Sequence, residues 1–122
     1  SWRLIANVEA MAGSISVGAS VSGSVGVAGD VDDYSVTLVA GVTYTITLEG
    51  GTLVDPFLEV ADATGTVLDW DDDSGAGLDA QLSFTPTTTG TYYLGARESG
   101  HDATGSYTLS LANLDTVPGG IA

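Results

Sequence analysis

The sequence predicts an all-β chain, an antiparallel jelly-roll-like β-sandwich of about eight strands. Three observations carry this. Apolar residues recur with period 2, no stretch repeats them with the 3.6-residue period of an amphipathic helix, and turn signals return about every 10 residues. A sandwich or jelly roll is the architecture that such short, evenly spaced strands build.

The elements follow in order. Ile15, Val17, Ala19 and Val21 predict a first strand, thinned by Gly and Ser. Tyr34, Val36 and Leu38 alternate with Ser35 and Thr37, and Val42–Leu48 repeats the pattern with its threonines on one face. Ala40-Gly41 between these two strands is short enough for a hairpin. Phe57–Ala61 follows the turn signal Asp55-Pro56, and Thr66–Trp70 follows Thr64-Gly65. Leu82 and Phe84, then Tyr92, Leu94 and Ala96, then Tyr107, Leu109 and Leu111 mark the last strands. Thr, Val and Tyr suit a pleated, half-buried surface. Residues 1–12 and 115–122 read as linkers around a single domain over 13–114, and the chain is expected to be a segment of something longer.

Composition bounds the function. The 122 residues amount to one domain, with 2 basic side chains (Arg3 and Arg97) against 16 acidic ones, a net charge of −14. Nucleic acid and anionic membrane surfaces are bound through Lys and Arg clusters, so neither is an expected partner. No apolar run approaches the length of a membrane span. The hydrophobic fraction of 43% exceeds that of a disordered acidic tail. Cysteine is absent, which excludes a disulfide scaffold, a thiolate nucleophile and Cys-ligated metal. Glu9 interrupts the apolar start, against a signal peptide.

The acids are clustered. Asp30, Asp32 and Asp33 precede a strand, Asp55 stands at another strand entrance, and Asp69, Asp71, Asp72, Asp73 and Asp79 span a Gly-containing loop. Aspartates outnumber glutamates 12 to 4. Short carboxylates on loops suit calcium, a hard cation that takes 6 to 8 oxygens. Like charges about 4 Å apart repel by ~1 kcal/mol in water and ~4 kcal/mol at an effective dielectric of 20, so such a cluster wants either a cation or full hydration. A hydrated acidic surface is the competing reading. The loop is not an EF-hand, because Ser74 occupies the glycine position and Ala80 that of the bidentate glutamate. The calcium-binding nonapeptide GGxGxDxUx does not occur either.

Catalysis has little to stand on. The lone His101 lies in the loop Ser99-Gly100-His101-Asp102, and adjacent loop residues rarely reach triad geometry. There is no GxSxG elbow. A carboxylate pair for glycoside hydrolysis would lack a cleft in so small a sandwich. Arg97 reads either as a surface ion pair or as an anion clamp at the edge of a binding site. Alternation allows Trp70 and Tyr93 an outer face as flat contact surface, but Trp70 is read first as a core residue or as a lid over the Asp loop.

The ordered set Gly29-Asp30-Val31-Asp32-Asp33-Tyr34-Ser35-Val36, Ala40-Gly41-Val42-Thr43-Tyr44 and Asp55-Pro56-Phe57-Leu58 resembles the bacterial pre-peptidase C-terminal domain. Further matches are Val67-Leu68 with Asp71-Asp72-Asp73, Leu82-Ser83-Phe84, Gly90-Thr91-Tyr92-Tyr93-Leu94 and Thr104-Gly105-Ser106-Tyr107-Thr108-Leu109. The resemblance covers about residues 16–111. It implies a non-catalytic jelly-roll module of secreted proteases and of large RTX-type surface adhesins. It also implies calcium at Asp30, Asp32, Asp55, Asp72 and Asp73, and contact with peptide, collagen or glycan. Asp33 departs from the family's pattern, which has an aromatic or polar residue there.

Together these readings give a calcium-binding, extracellular bacterial adhesion module, monomeric within a larger chain, that takes a peptide or protein ligand. The expected metal ligands are Asp30, Asp32, Asp33, Asp55, Asp71, Asp72, Asp73 and Asp79. The expected ligand contacts are Arg97, His101, Trp70 and Tyr93. A calcium-assisted carbohydrate-binding module and a passive spacer of a secreted protease are the alternatives.

Overall fold

Alternation along each segment settles into two sheets whose apolar faces meet. The computed structural model describes residues 11–26, 31–72, 79–98 and 104–113. Within them run nine strands and no helix: β1 (Met11–Ser14), β2 (Ser20–Val25), β3 (Asp32–Leu38), β4 (Tyr44–Gly50), β5 (Pro56–Ala61), β6 (Val67–Asp71), β7 (Ala80–Phe84), β8 (Gly90–Glu98) and β9 (Gly105–Asn113). One sheet has the order β1-β3-β8-β5-β6 and the other β2-β9-β4-β7. Tyr34, Val36, Leu38, Leu58, Val60, Tyr92 and Leu94 of the first pack against Tyr44, Ile46, Leu48, Leu82, Tyr107, Leu109 and Leu111 of the second. Each fully buried aliphatic side chain contributes about 1.5–3 kcal/mol of transfer free energy.

The first strand expected over Ile15–Val21 is split. Residues 16–19 turn, with Gly18 at φ 88°, and carry the chain from β1 in one sheet to β2 in the other. β1 pairs with β3 in parallel, so the sandwich is antiparallel except at that edge. Its start at Met11 lies within the segment read as a leading linker. Ala40-Gly41 does not close a hairpin, because β3 and β4 belong to different sheets. The Gly41 N–H donates to the Pro86 carbonyl, tying this crossing to the neighbouring connection. β5 and β6 do form a hairpin. The Asp62 carboxylate closes it by accepting from the Thr64 N–H and hydroxyl and from the Thr66 N–H. Those bonds, the Thr64 hydroxyl foremost, hold its carboxyl below the ordinary value.

A polar chain crosses the interior. The Tyr107 hydroxyl on β9 donates to Asp32 Oδ2 on β3 at 2.6 Å. With that proton committed, the Tyr34 hydroxyl donates to Tyr107, also at 2.6 Å. The rings meet edge to face, 6.4 Å apart. Burial, then the bond to Asp32, push the Tyr107 phenol far above its ordinary value, and burial also raises Tyr34. Gly23 on β2 roofs the pair: a Cβ there would lie 2.5 Å from the Tyr107 hydroxyl oxygen and 2.7 Å from that of Tyr34.

Two predictions follow from this chain. Gly23→Ala forces the tyrosines apart and lowers stability by about 1–3 kcal/mol, the usual cost of overpacking, read by denaturant unfolding. Tyr107→Phe removes the bonds to Asp32 and Tyr34 and costs about 1–3 kcal/mol. Its alkaline signature is separate. Both phenols ionise at about pH 10 once unfolded but stay protonated in the fold, so stability falls as pH rises above about 10. Unfolding curves between neutral pH and pH 11 should show a shallower fall in Tyr107→Phe than in the parent.

Candidate functional site

Strand direction gathers the acids at one end of the sandwich. β3 and β5 begin there and β6 and β8 end there, so Asp32, Ala96, Leu58 and Asp71 form one row across the five-stranded sheet. Asp55 immediately precedes β5, and Asp72 follows β6. Asp79 leads into β7 and accepts from the Gly50 N–H at 3.0 Å, at the end of β4. Asp71 Oδ2 accepts from the Gln81 N–H at 2.8 Å and thereby ties the β6 edge to β7 of the other sheet. One oxygen each of Asp55 and Asp72 is shut off from solvent, and both carboxylates engage other groups of the protein.

The pleat then divides neighbouring acids. Asp32 shares the inward parity of Tyr34 and accepts the Tyr107 hydrogen bond, whereas Asp33 shares the outward parity of Ser35. These two carboxylates therefore face opposite sides of one sheet, an arrangement that sets them against sharing one ion. Among the described residues, no group of three or more His, Asp or Glu side chains converges as an ion site. The described donors thus fit calcium only in part: they lie at one end, but several already accept bonds from the protein itself. Asp30, Asp73 and His101 lie outside the described residues.

The ligand-contact candidates meet on the outer face of the five-stranded sheet. One row there is Asp33, Gly95, Glu59 and Trp70, on β3, β8, β5 and β6. Gly95 has no side chain, and its neighbours in the row, Asp33 and Glu59, are only 1% and 6% exposed. Arg97, two residues on from Gly95, lies opposite Phe57. Its guanidinium sits 3.8 Å from the Phe57 ring centroid and 3.8 Å from Glu59 Oε2, and its Nη1 donates to the Glu98 carbonyl at 3.1 Å. Phe57 stacks on Trp70, with ring centroids 5.2 Å apart and planes 13° from parallel. Trp70 is thus on the surface, 58% exposed, and does not enter the core. Tyr93 stands on the same face, opposite Ser35 and Ala61, and is half-buried.

The result is a cation–aromatic–aromatic stack running across β8, β5 and β6. The sequence reading singled out its two ends, Arg97 and Trp70, but neither Phe57 nor Glu59. Their signal was the alternation of Phe57-Leu58-Glu59-Val60, which turns both outward once Leu58 and Val60 are placed inside. Elsewhere, a shallow 330 Å³ hollow at the β1 edge is lined by Ser, Thr, Ile and Val alone and holds no titratable group.

Comparison with known proteins bears on both the sandwich and the acid-lined strand entrances. The sequence profile of the bacterial pre-peptidase C-terminal domain matches residues 30–98. That span runs from the Asp30 cluster to the end of β8. No curated protein sequence gives a significant match. Among solved structures, the fold is similar to the pre-peptidase C-terminal domain of a collagenase from Bacillus anthracis. That match has a TM-score of 0.63 and 18% identity, over 81% of this chain and 93% of that one. It is also similar to PliG of Aeromonas hydrophila, a periplasmic inhibitor of g-type lysozyme, with a TM-score of 0.60 and 16% identity, over 84% of this chain and 97% of that one. At these identities the structures speak for the fold alone, while the profile covers more than half of the sequence, and the chain belongs to the bacterial pre-peptidase C-terminal domain family.

Proposed function

We propose that the chain is a non-catalytic recognition module of an extracellular bacterial protein, which binds a peptide or protein ligand for adhesion and is steadied by calcium at its acidic end. The observation that carries the binding half is the exposed Trp70 on its Phe57–Arg97 support, a flat apolar contact held on a rigid sheet. Membership of a family named for its place beside peptidases supports a module appended to a secreted protein. The calcium half is supported by the strand ends that collect Asp32, Asp55, Asp71, Asp72 and Asp79 around loops which, in a chain of net charge −14, repel one another.

A carbohydrate ligand is the second reading, favoured by the same indole, since sugar rings also pack on exposed tryptophans. A passive spacer is compatible with the family and would leave Trp70 without a ligand. Peptide and glycan arrays probed with the intact chain separate the three: peptide hits support the proposal, glycan hits alone favour the second reading, and no hits favour the spacer.

The calcium half has its own expected outcome. Thermal unfolding in chelator and then in calcium should show a midpoint several degrees higher with calcium, and little change with magnesium. An ion bound only to the folded state at 100 times its Kd adds ~2.7 kcal/mol, and each kcal/mol moves a domain of this size by several degrees. The double variant Asp72→Asn, Asp73→Asn should lose that rise. An equal rise in monovalent salt would assign the acids to a hydrated surface and remove calcium from the mechanism.

A further inference from the structure

We propose that the open face of Trp70 receives a cationic side chain, so that the ligand of this module is a basic segment of a partner protein, rich in arginine or lysine. This rests on the reading of the chain as a peptide-binding module and adds the place and the charge of the ligand.

The stack itself supplies the first argument. Phe57, on the middle strand, carries the Arg97 guanidinium at 3.8 Å and Trp70 in parallel stacking at 5.2 Å. A guanidinium is attracted to the negative face of an aromatic ring and packs flat on it. The protein has thus satisfied one end of its aromatic pair with its own cation. The other end, an indole 58% exposed on edge strand β6, presents the same kind of face to solvent. Leu68, two residues before it on β6, is also exposed, at 47%. Exposed apolar surface of this kind suits a long side chain whose methylene stem packs on it while the charged head covers the indole.

Charge selects between possible occupants. The chain has 16 acidic against 2 basic side chains, and one of those two, Arg97, is already engaged with Phe57 and Glu59. The row that ends at Trp70 contains Asp33 and Glu59, while Asp69 and Asp71, its neighbours along β6, have the opposite parity and add to the field from the other side of the strand. An anionic ligand would be repelled from this face. A neutral sugar would gain the stacking but nothing from the field. A cation gains both, and the field also speeds its encounter with the surface.

The test uses the intact chain carrying Trp2→Phe, so that indole emission reports on Trp70, in buffer of physiological ionic strength. The probes are a peptide of alternating arginine and glycine, the same peptide with neutral citrulline for arginine, and chitohexaose. The arginine peptide should perturb Trp70 emission and bind at least about tenfold more tightly than the citrulline peptide. By calorimetry, Trp70→Ala should weaken its binding about tenfold, within the range of a partly desolvated cation–aromatic contact, with Trp70→Phe in between. Trp70→Ala loses its stack on Phe57 and should melt a few degrees below the parent, with Trp70→Phe closer to it, and both should be fully folded at the temperature of the titration. Equal binding of the arginine peptide to Trp70→Ala would mean that it follows the diffuse acidic field, and would overturn the proposal. Preference for chitohexaose or for the citrulline peptide would overturn it too. Array hits confined to neutral or acidic peptides would sink this inference and leave the recognition module standing, whereas the absence of any peptide ligand would remove both.

Discussion

At the acidic end of this sandwich a buried hydrogen-bonded chain, Tyr34 to Tyr107 to Asp32, ties one sheet to the other. It joins β3 of one sheet to β9 of the other at the level where negative charge is densest. Two sheets with no disulfide between them depend on apolar contact for cohesion, and apolar contact is non-directional. A buried, satisfied polar chain adds the direction that apolar contact lacks, because its donors are left unpaired in any shifted register. Gly23 belongs to the same device, since a side chain at that point would occupy the space of the two hydroxyls.

With the sheets so registered, the pleat distributes the carboxylates. Asp32 turns inward to accept the Tyr107 hydrogen bond while Asp33 goes to the outer face. Asp71 and Asp79 spend an oxygen each on backbone N–H groups that cross to neighbouring strands. Part of the acidity is therefore structural: carboxylates act as acceptors that end strands and tie sheets. This narrows the role left for an ion to the carboxylate oxygens that these bonds do not use.

The outer face of the five-stranded sheet is organised around two nearly buried carboxylates. Asp33 and Glu59 lie on either side of Gly95, and Arg97 leans from two residues away to the edge of Glu59. Buried carboxylates are costly without a partner, so the arginine stays on this face and close to the strands. There Phe57 gives it an aromatic floor, and Trp70 extends the floor to the sheet edge.

The strand positions and inward faces were legible from the residues alone. Period-2 alternation in Tyr34–Leu38, Tyr44–Leu48, Tyr92–Ala96 and Tyr107–Leu111 depends only on burying one side of an extended chain. The outward placement of Tyr93 is the same parity seen from the other side, whereas Trp70 read as core by its size and is held outside by its stack on Phe57. Pairing was not legible, because alternation says which face is apolar and nothing about which strand lies alongside. Hence Ala40-Gly41 looked like a hairpin although β3 and β4 lie in different sheets, and residues 15–21 looked like one strand although Gly18 turns them from one sheet to the other. The Arg97–Phe57–Trp70 stack was hidden for the same reason. Its members come from three strands whose adjacency is decided by long-range pairing, while the charge, the turns and the buried faces are properties that each short segment carries within itself.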